Sequence, residues 1–298
     1  MWSRFESLRR LSANVSKLAA TRNATAPASN LLLHTSAACQ DIPFREDSEI
    51  ERDVRRFLGK RPHEPPSVLV ILCGCGDTKG SSTLETESLI VNLHRYGLYA
   101  AVFAPSQLIR REWDFDANSF KSHELQARRA HVESARLVLG HSVKEFHNLK
   151  DFRQYDALVI PGGAGVGFVL SDFLVRGDAG HVDPYVRSAI QDFHSNKKPI
   201  GTISYAGLLV AKVIPGVQIT MRRPANTDED WSHDLPQKAI DLARAWHAEH
   251  MEVPTSEIWK DKLATVYSTP GFTIRTDPRS AVFDGIGKLV EAIKRKID

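Results

Sequence analysis

The sequence predicts an α/β protein built on a mostly parallel sheet with helices on both faces. Three observations carry this expectation. Apolar runs of strand length alternate with stretches of helical periodicity from Ser67 to the C-terminus. The first run, Val68-Leu69-Val70-Ile71-Leu72, is apolar at every position, as a strand buried on both faces requires. Glycine or proline punctuates the elements where a chain must stop and turn.

Taken in order, Ser67 to Cys73 holds the first strand, and Thr83 to Tyr96 reads as a helix. Leu84, Leu89, Ile90 and Leu93 lie at near-helical spacing there, and Gly97 ends it. Tyr99 to Phe103 is the second strand, and Ala127 to Leu139 a helix closed by Gly140. Ala157 to Ile160 is the third strand and runs into Pro161-Gly162-Gly163. A helix over Tyr185 to Ser195 precedes a fourth strand, Pro199 to Ile203, and Tyr205 to Val213 is the helix leaving it. Val217 to Thr220 and Leu263 to Ser268 are further strands, and Ala281 to Ile297 is a closing helix. Ligands of such sheets bind outside the carboxyl ends of the strands. Cys73 to Asp77, Ala104, Pro161 to Gly167, Ser204 to Gly207 and Thr269 to Phe272 are therefore the segments where function is sought.

Ahead of this domain the composition changes. The chain has 298 residues and a formal net charge of +3. Residues 1–40 hold five basic side chains (Arg4, Arg9, Arg10, Lys17, Arg22) against Glu6 alone, a net +4, so the remainder sums to −1. That remainder has no basic excess for nucleic acid. The leader is also rich in serine and alanine, with Trp2, Phe5, Leu8 and Leu11 at helical spacing, the composition of a mitochondrial transit peptide. A disordered basic tail is the alternative. Residues 41–65 form a charged linker with a short helix around Glu49 to Arg56, ended by Pro62, Pro65 and Pro66. Residues 66–298 are the folded domain. No run reaches the 18 to 20 apolar residues of a membrane span.

Few patterns carry chemistry. In Pro199-Ile200-Gly201-Thr202-Ile203-Ser204-Tyr205-Ala206-Gly207 an apolar strand enters a helix with small residues around Ser204. That is the spacing of a nucleophile elbow, although small residues at strand–helix junctions also serve packing alone. Pro161-Gly162-Gly163-Ala164-Gly165 follows a strand and could present backbone N–H groups as an oxyanion hole does, or simply allow a tight exit. Glu85 opens the first helix, where an acid complements the helix dipole; a catalytic role there requires burial and a neighbouring nucleophile. Cys73 and Cys75 cannot complete a zinc site, and Cys73 is expected to be a buried structural thiol. The twelve histidines show no metal spacing, and neither GxGxxG nor a phosphate loop occurs. No metal and no cofactor is expected.

Several segments in order resemble a known family: Leu72-Cys73-Gly74-Cys75-Gly76, Glu85, Phe103-Ala104-Pro105, Glu133-Ser134-Ala135-Arg136, Pro161-Gly162-Gly163, Pro199-Ile200-Gly201, Ala211-Lys212-Val213, Thr269-Pro270 and Asp284-Gly285-Ile286-Gly287. They resemble the PfpI-like branch of the class I glutamine amidotransferase superfamily, over roughly residues 66–296. The resemblance implies a flavodoxin-like three-layer sandwich, a mitochondrial matrix location, a homodimer, and a site in which an elbow cysteine pairs with a glutamate. Bacterial relatives are described as glyoxalases, so a small carbonyl metabolite is the implied ligand. Here the elbow position is Ser204, the glutamate corresponds to Glu85, and the implied oxyanion donors are Gly163, Ala164 and Tyr205. Relatives carry Lys-Asn after the glycines, where this chain has Phe168-Val169.

That exchange alters the chemistry. A thiol near pKa 8.5 can be activated by a cationic or helix-terminal environment. A serine hydroxyl instead needs a general base, usually histidine, within hydrogen-bond reach. His181 and His233 are the only histidines in loops that could be recruited. The expectation is a catalytically silent or weakened member; the alternative is a hydrolytic or glyoxalase-like enzyme using Ser204 with Glu85. A third reading puts residual thiol chemistry on Cys75.

Overall fold

The computed structural model describes residues 65–76, 79–109, 111–114, 119–122, 127–138, 141–224, 234–262, 265–272 and 277–298. The chain divides into two units, Met1–Leu58 and Gly59–Asp298, and every described residue lies in the second. The expected transit peptide, the helix around Glu49 to Arg56, Cys39 and His233 lie outside the described residues.

Seven strands form the central sheet: β1 (Ser67–Ile71), β2 (Tyr99–Ala104), β3 (Val143–Glu145), β4 (Ala157–Ile160), β5 (Ile200–Ile203), β6 (Trp259–Lys260) and β7 (Val266–Thr269). Their spatial order is β6-β7-β5-β4-β1-β2-β3, and only the β6–β7 pair is antiparallel. Without the two short edge strands the order is that of a flavodoxin-like doubly wound sheet. The chain grows outward from β1 in one direction and from β4 in the other, which places the topological switch between them.

Strand alternation sorts side chains into two cores. Val68, Val70 and Val159 pack with Leu89, Leu93, Ile286 and Leu289 on one face. Leu69, Ile71, Leu158 and Ile160 pack with Val186, Ile190, Phe193 and Leu209 on the other. The first face is covered by α1 (Thr83–Arg95) and α6 (Arg279–Ile297), and α2 (Ala130–Ala135) lies against β2. The second is covered by α3 (Pro184–Ser195) and α4 (Gly207–Val213), with α5 (Asp234–Ala245) packed on α4. The three-layer sandwich expected from the sequence is the fold observed.

Some elements differ from expectation. The helix expected over Ala127 to Leu139 is only Ala130–Ala135, because Arg128–Arg129 instead pair antiparallel with Leu108–Ile109. Val217 to Thr220 supplies only Gln218–Ile219, and these pair with Glu249–His250 outside the central sheet. A hairpin of Arg111–Asp114 and Ser119–Ser122 stands apart as well. The helix leaving β5 begins with a 3-10 turn, Ser204–Ala206, before α4.

Candidate functional site

Four loops leaving the carboxyl side of the sheet meet at Ser204. Three non-glycine described residues have positive φ: Lys197, Ser204 and His247. Lys197 and His247 end α3 and α5, where paired backbone bonds (Lys198 N–H to the Phe193 carbonyl, Ala248 N–H to the Ala243 carbonyl) close Schellman turns. Ser204, at φ 55°, has no such excuse. It stands where a buried strand becomes a helix, the strained geometry of an elbow, and it is 2 % exposed.

Glu85 comes from the first turn of α1 and is equally buried. Its carboxylate joins two distant loops. Gly162 N–H, just after β4, donates to Oε2 at 2.9 Å, and Phe272 N–H, just after β7, donates to Oε1 at 3.0 Å. Glycine is required at both loop positions facing Ser204. A Cβ on Gly162 would lie 2.6 Å from Ser204 Cβ and from Glu85 Oε2, and one on Gly271 would lie 2.6 Å from Ser204 Cβ. Gly162 is held further by its carbonyl, which accepts from Ser82 N–H at 2.9 Å. Gly163 adopts φ 103° and opens the turn Ala164–Gly167, which packs against the Ser204–Ala206 turn. Ala164 and Tyr205 are buried there.

Thus Ser204, Glu85, Gly163, Ala164 and Tyr205, separated by up to 120 residues in sequence, occupy one strand-end cluster.

No family model matches the chain. It is similar to the ES1 protein homolog, mitochondrial, of Rattus norvegicus: 30 % identical over 234 residues, spanning 78 % of this chain and 84 % of the relative. The Homo sapiens glutamine amidotransferase-like class 1 domain-containing protein 3, mitochondrial, is 30 % identical over 232 residues, 78 % of this chain and 84 % of its own. The chain belongs to the mitochondrial ES1 protein family. Its expected mitochondrial location holds accordingly. A solved structure, an Ehrlichia chaffeensis isoprenoid biosynthesis protein with an amidotransferase-like domain, is also similar. It has a TM-score of 0.65 and 26 % identity over 77 % of this chain and 99 % of that one.

The other chemistry-bearing residues of this ES1-family chain engage other partners. Among the described residues no histidine hydrogen-bonds the serine. His181 is exposed, with its backbone N–H donating to Asp172 Oδ1. His250 Nε2 is 3.4 Å from the Met221 carbonyl. Cys73 is buried as expected, 3.3 Å from Ser81 Oγ, and burial pushes its thiol up to about 12. Cys75 is exposed, but partial burial and then the Glu133 carboxylate push its thiol up as well, outweighing the opposing pull of Arg136, the Thr83 hydroxyl and Arg128. Phe168 lies under the Lys79 ammonium, 3.1 Å from ring centroid to Nζ, a cation–π contact from the β1 loop.

Two features were not foreseen. Arg222 is buried with its guanidinium 5.8 Å from the Tyr205 ring centroid, beside the elbow. A cavity of about 450 Å³ lies at the N-terminus of α6, lined by Arg223, Thr255, Ser256 and Asp277 among others. No spacing or motif in the sequence connects those residues; only the fold does.

Proposed function

We propose that this is a catalytically silent or weakened ES1-family protein that keeps a small-molecule or partner-binding pocket at the Ser204 elbow. The observation that carries the reading is the state of Glu85. Both its oxygens accept backbone N–H groups, so this carboxylate beside Ser204 serves as a structural tie. A hydroxyl nucleophile needs its proton removed during attack, and a carboxylate is a far weaker base than the alkoxide it would have to generate. In this reading Gly163, Ala164 and the Tyr205 amide form an oxyanion-like cradle without a competent nucleophile. A small carbonyl metabolite is the ligand class, and the working form is a homodimer in the matrix. Residues 1–40 are the transit peptide, 41–65 a linker and 66–298 the amidotransferase-like domain. Mass measurement of protein recovered from mitochondria tests that division, which an intact N-terminus would contradict.

The runner-up is hydrolytic or glyoxalase-like chemistry at Ser204 with Glu85. The positive φ of Ser204 favours it, because strain of this kind accumulates at reacting side chains. One experiment separates the two. Purified protein, Ser204→Ala and Ser204→Cys are each incubated with methylglyoxal and with glutamine, and substrate loss is followed. The expected result is equal background for the natural protein and Ser204→Ala, with aldehyde consumption in Ser204→Cys. Turnover by the natural protein that Ser204→Ala abolishes establishes the runner-up instead.

A further inference from the structure

Ser204 is buried between two walls, and the walls are held very differently. The Gly162 wall is tied by its N–H to Glu85 and by its carbonyl to Ser82. The turn that follows is tied as well, since Gly165 N–H donates to the Gly80 carbonyl at 3.1 Å. All of this continues directly from β4, a central strand with no exposed residue. The opposite wall is Gly271–Phe272. Its single hydrogen bond among the described residues is Phe272 N–H to Glu85 Oε1. Gly271 stands at φ 75° against Ser204 Cβ, and Phe272 is only partly buried on the core beneath.

We propose that Gly271–Phe272 is an access strap over Ser204, latched by Glu85, and that anything reaching the serine enters by displacing this strap while the Gly162 wall stays in place. The physical argument is a comparison of costs. Opening the Gly162 side breaks several buried backbone bonds next to the sheet centre, each costly to leave unmade. Opening the strap breaks one among the described residues, and glycine at 271 lets the backbone rotate with little steric penalty. Glu85 is then a positioning residue with two separable duties: a permanent one toward Gly162 and a releasable one toward Phe272. The strap gives the pocket of the proposed function its door, and for that meaning it rests on that reading. The movement itself needs no ligand.

The test therefore uses none. In the unaltered protein, amide hydrogen exchange resolved by residue is expected to show Phe272 protected, yet exchanging at least tenfold faster than Gly162. Equal rates at the two amides would mean that the strap has no motion of its own, and would overturn the proposal. Access is read separately by iodoacetamide alkylation of Ser204→Cys, in a background with Cys39→Ser and Cys75→Ser. Phe272→Pro deletes the latching N–H, and Phe272→Ala removes only the ring. Phe272→Pro is expected to raise the alkylation rate at least tenfold over Phe272→Ala, and a smaller increase counts against the latch. Should Phe272→Pro fail to fold, Glu85→Gln takes its place, since Gly162 N–H and Phe272 N–H face different carboxylate oxygens and the amide sets an NH2 donor against one of them. If Ser204→Cys consumes no aldehyde but the strap tests are passed, the proposed ligand is lost and the strap is kept.

Discussion

Ser204 carries the most information of any single side chain, because it is placed where a non-glycine residue pays a conformational penalty. A left-handed backbone costs an L-residue about 1–2 kcal/mol. Glycine removes that penalty but adds freedom to the unfolded chain, worth about 0.4–1 kcal/mol. Ser204→Gly is therefore expected to stabilise the protein by about 0.5–1 kcal/mol, a rise of about 1–4 °C in Tm for a domain of this size. Thermal melting decides it, and an unchanged or lower Tm shows that no strain is stored there. The cysteines give a second residue-scale prediction. Burial holds Cys73 as a thiol up to about 12, against 9.0 for an ordinary group. Above pH 9 the unfolded chain releases that proton while the folded one keeps it. The contribution of Cys73 to stability is thus intact below pH 9 and declines as pH rises toward 12, by about 1.4 kcal/mol per unit. Urea unfolding at pH 8 to 10.5 should show a steeper alkaline loss in the natural protein than in Cys73→Ala, and identical slopes would refute it.

At the scale of elements, local signals succeeded where the determinant was local. Asp183-Pro184 starts α3: the Asp183 carboxylate accepts from Tyr185 and Val186 N–H at 2.9 and 3.3 Å, and proline sits at the first helical position. Asp183→Ala is expected to cost about 1 kcal/mol, measured as a lowered urea midpoint with unchanged slope. A midpoint equal to that of the natural protein would show that the cap is dispensable. Continuous apolar runs likewise marked β1, β4 and β5, since strands covered on both faces need no alternation. The Ala127-to-Leu139 stretch misled because its helical pattern competes with a long-range pairing. Arg128–Arg129 gain more as partners of Leu108–Ile109 than as a first helical turn, and nothing within the segment reports this. The edge pairing of Gln218–Ile219 with Glu249–His250, 31 residues away in register, was hidden for the same reason.

For the whole molecule, topology explains why the site lies where it does. Glu85 follows β1, Gly162 follows β4, Ser204 follows β5 and Gly271 follows β7, so four parallel strands deliver their exits to one side of the sheet. The strand-end segments named from the sequence contain Gly162, Ser204, Gly271 and Phe272, and the first-helix acid Glu85 completes the set. Their identity was therefore legible in the chain. Their relation was not: that Glu85 ties Gly162, 77 residues on, to Phe272, 187 residues on, and that two glycines wall in the serine, depends on how the strands are ordered. By itself the sequence determined the α/β class, most strand and helix positions, and the small-residue surroundings of Ser204 at the β5–α4 junction, because periodicity, turn chemistry and residue identity are properties of neighbours along the chain. Tertiary structure alone decided the left-handed backbone of Ser204 and the engagement of both Glu85 oxygens. Hydrogen bonds and close approaches between distant loops exist only once the sheet has brought their ends together.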